Sequence, residues 1–156
     1  GLEDMDFARR RREGVEMTLR ARGLEVNPDW MSSDEMTEHY GHASAARMLA
    51  GDPAPTAFLV SSMIPAIGVR RAVEDAGLKL GRDISVITHD DALSYLGNGG
   101  DVLIFTATRS SVREAGRIAG TLLLEMIADP GGPPLQTLLE AELMLGQSTG
   151  PVPRPE

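Results

Sequence analysis

The sequence predicts an α/β fold with a mostly parallel sheet. Short continuous apolar runs at residues 56–60, 84–88 and 102–106 are typical of strands that are buried on both faces. The segments that flank these runs carry apolar residues at helical spacing. Because strands that alternate with helices are characteristic of layered α/β proteins, the order of these segments favours that class.

Two helices are predicted before the first strand. The first covers residues 7–22, because the acidic Asp6 favours a helix start and Gly23 is a natural stop. The second covers residues 38–50. A parallel sheet usually has a strand that leads into its first helix, so this opening pair predicts further sequence upstream.

Two more helices and a last strand follow. Pro65 predicts the start of the third helix, because its missing N–H is not needed in a first turn. Ser111 and Glu114 have the spacing of a capping box and predict the start of the fourth. Residues 139–145 alternate partly and predict a strand, and the proline-containing tail 148–156 predicts a loose end.

Composition limits the function classes. The 156 residues fit one domain, and a hydrophobic content of 42% is enough for a core. A net charge of -8 disfavours DNA contact by this chain, because phosphate contacts need clustered Lys and Arg. The absence of cysteine excludes disulfides, thiolate metal sites and a Cys nucleophile, and it fits a cytoplasmic protein. No apolar run is long enough to cross a bilayer, so we expect no membrane partner.

Polar segments follow three of the predicted strands. They are residues 61–63, 89–91 and 107–110. In open α/β sheets ligands bind beyond the carboxyl ends of the strands, so a polar ligand between these segments is the favoured interpretation. The alternative is that Asp90 and Ser110 merely cap helices and turns.

Metal and catalytic sites are not predicted. Asp90 and Asp91 could hold Mg²⁺ or act as acid and base, but no third acidic ligand stands at useful spacing. His39 and His42 lie three apart on a predicted helix without the further ligands of a zinc site. No nucleophile elbow, phosphate-binding loop, dinucleotide fingerprint or zinc-protease motif is present, so we expect neither a cofactor nor an enzyme.

Four consecutive arginines, Arg9 to Arg12, look like a nucleic-acid patch. On a helix they point around most of the circumference and cannot all face one phosphate backbone. A solvated face is therefore the preferred interpretation, with one of the four pointing into a cleft. Trp30 could stack on a ligand ring, but ordinary packing is the preferred interpretation for it too.

Five stretches of the sequence form an ordered set of motifs, at residues 7–14, 55–60, 76–91, 105–116 and 142–151. Together they resemble the lac-repressor and gal-repressor family of bacterial regulators. The first holds an Arg followed three residues later by Gly, the second resembles the central strand of that family, and the third is its most recognisable signature. The last two resemble the return crossing and the closing strand with its tail. The match covers nearly the whole chain in the right order.

The resemblance implies a two-lobed fold like that of periplasmic sugar-binding proteins, with the effector between the lobes. Residues 1–156 are then the C-terminal part of the effector-binding domain, a parallel-sheet three-layer lobe of a periplasmic-binding-protein-like type I fold. A helix-turn-helix domain and most of the N-terminal lobe are expected upstream.

Five effector-binding residues follow from matching position. Arg11 resembles the Arg that grips the effector, and its fork of donors suits vicinal hydroxyls or a carboxylate. Asp90 resembles the Asp that accepts from sugar hydroxyls, and Met36 stands where the family places a ring-packing residue. Ser62 and Ser110 stand where the family usually has Asn and Gln, so a ligand other than a simple hexose is expected.

The resulting hypothesis is a repressor of transcription that senses a sugar or sugar derivative. The ligand shifts the protein between forms that do and do not bind operator DNA, through a domain outside this chain. Roughly symmetric operators imply a homodimer. The alternative is a periplasmic sugar-binding protein of an ABC importer, which shares the fold and the pocket.

Overall fold

Helices and strands follow one another in the predicted order. The computed structural model describes residues 2, 4–90 and 95–152. Its helices are α1 (Asp6–Ala21), α2 (Glu38–Leu49), α3 (Met63–Asp75) and α4 (Val112–Ala128), with a short 3-10 turn at Pro28–Trp30. Its strands are β1 (Ala57–Val60), β2 (Ser85–Asp90), β3 (Thr106–Arg109) and β4 (Glu142–Met144). No helix in the described ranges is long and apolar enough to cross a membrane.

The four strands form one sheet in the order β1-β2-β3-β4. β1 pairs with β2 and β2 with β3 in parallel, whereas β4 runs antiparallel to β3. The predicted mostly parallel sheet is therefore confirmed. The register opposes Val60 to Thr88 and Asp90 to Arg109, so the carboxyl ends of the three parallel strands share one edge of the sheet.

The core lies between the sheet and α3. Val73 of α3 and Val86 of β2 are fully buried, together with Phe105 just before β3. α2 packs on α3 through two glycines. A Cβ at Gly41 would lie 2.1 Å from the Pro65 carbonyl oxygen, and one at Gly68 would lie 1.9 Å from a backbone oxygen of α2. Only glycine permits this approach, which fixes the first turns of the two helices against each other.

The predicted strand at residues 102–106 is wrong. The Asn98 side chain accepts a hydrogen bond from the Phe105 N–H and donates one to the Phe105 carbonyl, both at 2.8 Å. Because these backbone groups are occupied, pairing begins only at Thr106, and Val102 is 60% exposed. β3 therefore extends to Arg109, and β2 extends to Asp90, so residues predicted to lie in loops belong to strands.

Burial on both faces of β1 is also a wrong prediction. Leu59 is 64% exposed, because α2 and α3 cover only the opposite face. Neither α1 nor α4 has a buried residue. α4 instead carries exposed apolar side chains at Leu123, Leu124 and Ile127.

Two helix starts differ in detail from the prediction. α3 begins at Met63 with Ser62 as its N-cap, so Pro65 lies inside the first turn instead of opening it. The Ser111 hydroxyl accepts from the Glu114 N–H at 3.2 Å, as a capping box requires. The Glu114 carboxylate does not complete the box, because both of its oxygens accept from Arg117.

Ser148 and Thr149, at the start of the tail predicted to be loose, are instead anchored, and residues 153–156 of that tail lie outside the described ones. Ser148 is fully buried, and its hydroxyl accepts from the Thr106 N–H at 2.8 Å and donates to the Val86 carbonyl. The Thr106 hydroxyl lies 2.7 Å from that of Thr149 and accepts from the Gly146 N–H. This segment therefore closes over β2 and β3.

Candidate functional site

The carboxyl edge of the sheet brings the three predicted polar segments together. Ser61 follows β1 directly, Asp90 ends β2 and Arg109 ends β3. Neighbouring strands in a sheet lie about 4.8 Å apart, so side chains from all three can contact one small ligand. Asp91, the second member of the predicted acidic pair, lies outside the described residues.

Asp90 is a buried carboxylate, with only 2% of the residue exposed. Its Oδ2 accepts hydrogen bonds from Arg109 Nε at 3.1 Å and from Arg109 Nη2 at 2.9 Å. A buried charge needs such a partner, since desolvation without one is costly. Sequence reasoning missed Arg109 because it assigned that residue to a loop. The signal that could have found it is the requirement of Asp90 for a nearby cation.

His89 lies on the other face of β2 from Asp90, because side chains alternate along a strand. Its Nδ1 is 2.9 Å from the Thr108 hydroxyl, and its Nε2 is 3.2 Å from the Ser110 hydroxyl. A Ser–His contact is one part of a nucleophilic site, but here the second ring nitrogen meets a hydroxyl where a triad has a carboxylate. Ser110, a predicted effector residue, thus lies at the edge beside this imidazole.

Arg11 reaches from α1 to the end of β1. Its Nη1 donates to the Ser61 carbonyl at 2.7 Å, and its guanidinium carbon lies 5.2 Å from the centre of the Phe7 ring. Arg9 and Arg10 instead pair with Asp6 within α1. The hydrogen bond from Arg9 holds the pKa of the Asp6 carboxyl below its usual value. These pairs agree with the prediction of a solvated face at Arg9 and Arg10.

Ser62 and Met36 approach the same edge from the helices. The Ser62 hydroxyl accepts from the Ile64 N–H at 3.4 Å and caps α3. Met36 is 37% exposed and precedes Thr37, the N-cap of α2. Because the first turns of α2 and α3 are in contact, Met36 lies at the end of the helix pair that faces the carboxyl edge.

The chemistry of this edge suits binding of a polar ligand. It offers guanidinium donors, a carboxylate acceptor and hydroxyl groups that both donate and accept. Among residues 2, 4–90 and 95–152, no group of three or more His, Asp or Glu side chains could hold a metal ion. His42 pairs through Nε2 with Asp75 Oδ2 at 2.8 Å and links α2 to α3.

Comparisons with known proteins agree with this architecture. A family model described as a periplasmic binding protein-like domain matches residues 2–149. The HTH-type transcriptional regulator AglR of Rhizobium meliloti is 40% identical over 153 residues, which covers 98% of this chain and 43% of AglR. The chain thus spans less than half the length of this relative.

Two solved structures share the fold. A regulatory protein of the LacI family from Chloroflexus aggregans superposes with a TM-score of 0.80 at 26% identity, covering 95% of this chain and 52% of that one. A complex of the transcriptional regulator CelR with cellobiose has a TM-score of 0.81 at 24% identity, covering 95% of this chain and 44% of that one.

These relatives are transcriptional regulators. They do not favour the importer alternative, and they agree with the expectation that the chain is not an enzyme. The chain belongs to the periplasmic binding protein-like domain family, in the form found in transcriptional regulators of the LacI/GalR type.

Proposed function

We propose that this chain senses a saccharide or a sugar derivative for a cytoplasmic repressor of transcription. The ligand binds at the carboxyl edge of the sheet, where Arg11, Asp90 and Ser110 contact its hydroxyl groups. Ser62 contributes a further hydroxyl, and Met36 packs against the apolar face of the sugar ring. The observation that carries the proposal is the convergence of Arg11 and Asp90 on one edge from separate elements.

The side chains favour a polyhydroxylated ligand over a purely anionic one. A buried carboxylate accepts hydrogen bonds from hydroxyl groups but repels an anion. A guanidinium donates through a planar fork that matches vicinal oxygens. The complex of CelR with cellobiose supports this class, because CelR shares the fold of this chain.

The rest of the protein is proposed to carry the DNA-binding function. AglR is named as an HTH-type regulator, and this chain spans 43% of its length. We infer that a helix-turn-helix domain and a first lobe accompany this chain. The exposed apolar side chains of α4, including Leu123, Leu124 and Ile127, then supply a surface against which that lobe packs.

Ligand and DNA are coupled in this proposal through two arrangements of the lobes. A saccharide that binds one arrangement more tightly shifts the population towards it, and operator affinity changes by the same coupling free energy. Two copies of the protein bind the two halves of a symmetric operator.

A thermal-shift screen of the full-length protein against saccharides and sugar acids tests the proposal. A ligand present at 100 times its Kd stabilises the folded form by about 2.7 kcal/mol and raises the melting temperature. We expect Arg11→Ala and Asp90→Asn each to weaken binding of the hit by about 10-fold or more, because each removes a charge-assisted hydrogen bond.

Arg10→Ala is the matched control, because Arg10 pairs with Asp6 on the exposed surface of α1. It should leave the Kd unchanged. A hit that is insensitive to both Arg11→Ala and Asp90→Asn would place the ligand elsewhere. Addition of the hit should also change the affinity for operator DNA, measured by fluorescence anisotropy.

A further inference from the structure

Arg109 holds the buried Asp90 from the outer side of the proposed site. Only 3% of the Asp90 side chain is exposed, whereas 32% of the Arg109 side chain is exposed. Two donors, Nε and Nη2, converge on the single oxygen Oδ2. The carboxylate is thereby held in one orientation, since both hydrogen bonds would break if it rotated.

Arg109 selects Asp90 although another carboxylate is available. In the register of β3 with β4 it stands opposite Glu142, which is exposed. Among the residues that the structure describes, Arg109 donates to Asp90 and makes no ion pair with Glu142. An exposed ion pair with Glu142 would contribute little to stability. A buried Asp90 carboxylate without a partner would be strongly destabilising, so the pair of Arg109 with Asp90 is the more favourable arrangement.

The guanidinium has donors left over. It carries five N–H groups, and the contacts to Asp90 account for two of them. Nη1 makes no hydrogen bond within the described part of the chain, and the side chain is partly open to solvent. A ligand at the carboxyl edge would therefore find an acceptor on Asp90 and donors on Arg109 side by side.

We propose that Arg109 is a positioning and specificity-determining residue of the effector site, an inference that rests on the proposed function. It orients Asp90 with one side of its guanidinium and donates to the ligand with the other. The matching ligand group is a pair of neighbouring oxygens, in which a hydroxyl donates to Asp90 and the adjacent hydroxyl or ring oxygen accepts from Arg109. Because the pair is neutral as a unit, this subsite selects an uncharged diol.

The test measures Kd by isothermal titration calorimetry on the full-length protein. The probes are glucose, maltose, cellobiose and the monodeoxyglucoses. The variants are Arg109→Gln, which removes the cation, and Arg109→Lys, which keeps the charge but loses the planar fork. Arg113→Gln is the matched control, because Arg113 lies four residues further along in exposed helix α4.

We expect Arg109→Gln to weaken binding of the best probe by about 10-fold or more, and Arg113→Gln to leave it unchanged. Arg109→Lys should bind at an intermediate level. The wild type should discriminate against one monodeoxyglucose by about 10-fold, and Arg109→Lys should lose that discrimination while keeping the order of the others.

Circular dichroism melting of the ligand-free variants separates binding from folding, and Arg109→Lys remains informative if Arg109→Gln does not fold. Wild-type affinity in Arg109→Gln, or a uniform loss for all probes in Arg109→Lys, would overturn the inference and leave the proposed function intact. A wild-type protein that binds none of the probes would count against the proposed function itself, and this inference would fail with it.

Discussion

Replacement of Gly68 by Ala should destabilise the protein although Ala is the better helix former. The added Cβ would lie 1.9 Å from the Glu38 carbonyl oxygen and 2.6 Å from the His42 amide nitrogen. Ordinary contacts of a Cβ begin at 3.4 Å, so α2 and α3 must separate by about 1.5 Å. Overpacking of this kind costs about 3 kcal/mol at its upper range, and helix propensity returns about 1 kcal/mol. We therefore expect a net loss of about 2 kcal/mol.

Gly14→Ala is the same chemical change, but we expect it to stabilise the protein instead of destabilising it. Gly14 also lies inside a helix, α1, but no atom lies within 4 Å of its added Cβ. This variant should be stabilised by about 0.5–1 kcal/mol, because a helical glycine is replaced without a clash.

Urea unfolding of the two full-length variants, followed by far-UV circular dichroism, measures the difference between their free energies of unfolding. The predicted gap in free energy is about 3 kcal/mol, with Gly68→Ala on the unstable side. If Gly68→Ala unfolds at the same urea concentration as the wild type or above it, the helix pair is looser than the structure implies. The assignment of Met36 and Ser62 to one edge would then lose its basis.

Two further variants probe the loop before β3 and the acid limit of stability. Asn98→Ala leaves the buried backbone N–H and carbonyl of Phe105 without their partner and should cost about 2–3 kcal/mol in urea unfolding, whereas a loss below about 0.5 kcal/mol would mean that water replaces the amide. The hydrogen bonds from Arg82 and from the Lys79 amide hold the pKa of the Asp83 carboxyl below its usual value. Because the pKa of this carboxyl is lower in the folded protein than in the unfolded chain, Asp83 stabilises the fold at pH values above the ordinary carboxyl pKa. This stabilisation disappears as the pH falls through the pKa of the folded state. Asp83→Asn should therefore lower the melting temperature at neutral pH, with a gap to wild type that closes in acid; a gap independent of pH would contradict the assignment.

The sequence predicts the element order and the meeting of three polar segments at one edge of the sheet, for local reasons. Apolar runs and helical spacing identify strands and helices, and parallel strands necessarily bring their carboxyl ends to one edge. Helix geometry predicts only that the four successive arginines cannot share one direction, and the choice of Arg11 among them depends on its matching position in the lac-repressor and gal-repressor family. The close contact at Gly41 and Gly68 has no such local signal, because glycine within a helix is equally compatible with an open surface, as at Gly14.

What the sequence does not reveal depends on contacts between distant residues. The start of β3 is set by the Asn98 side chain, seven residues before the backbone that it binds. The partner of Asp90 is Arg109, nineteen residues away on the neighbouring strand. The apolar run of β1 predicts that the strand can be buried, but it cannot tell that Leu59 stays exposed while the opposite face is covered.

The buried hydroxyl of Ser148 ties the segment after β4 to β2 and β3, so the stretch between β3 and β4 is held at both of its ends. Between β3 and β4 the chain passes through α4. It leaves the sheet at Arg109 and re-enters it at Glu142, and these two residues are paired. Ser148 and Thr149 then bind to Thr106, the first residue of β3. Lengthening such a loop costs little, about 0.6 kcal/mol for each doubling. Residues 112–141 can therefore vary in length between these two anchors at little cost to the fold, and the spread of their lengths across the family would measure how far they have done so.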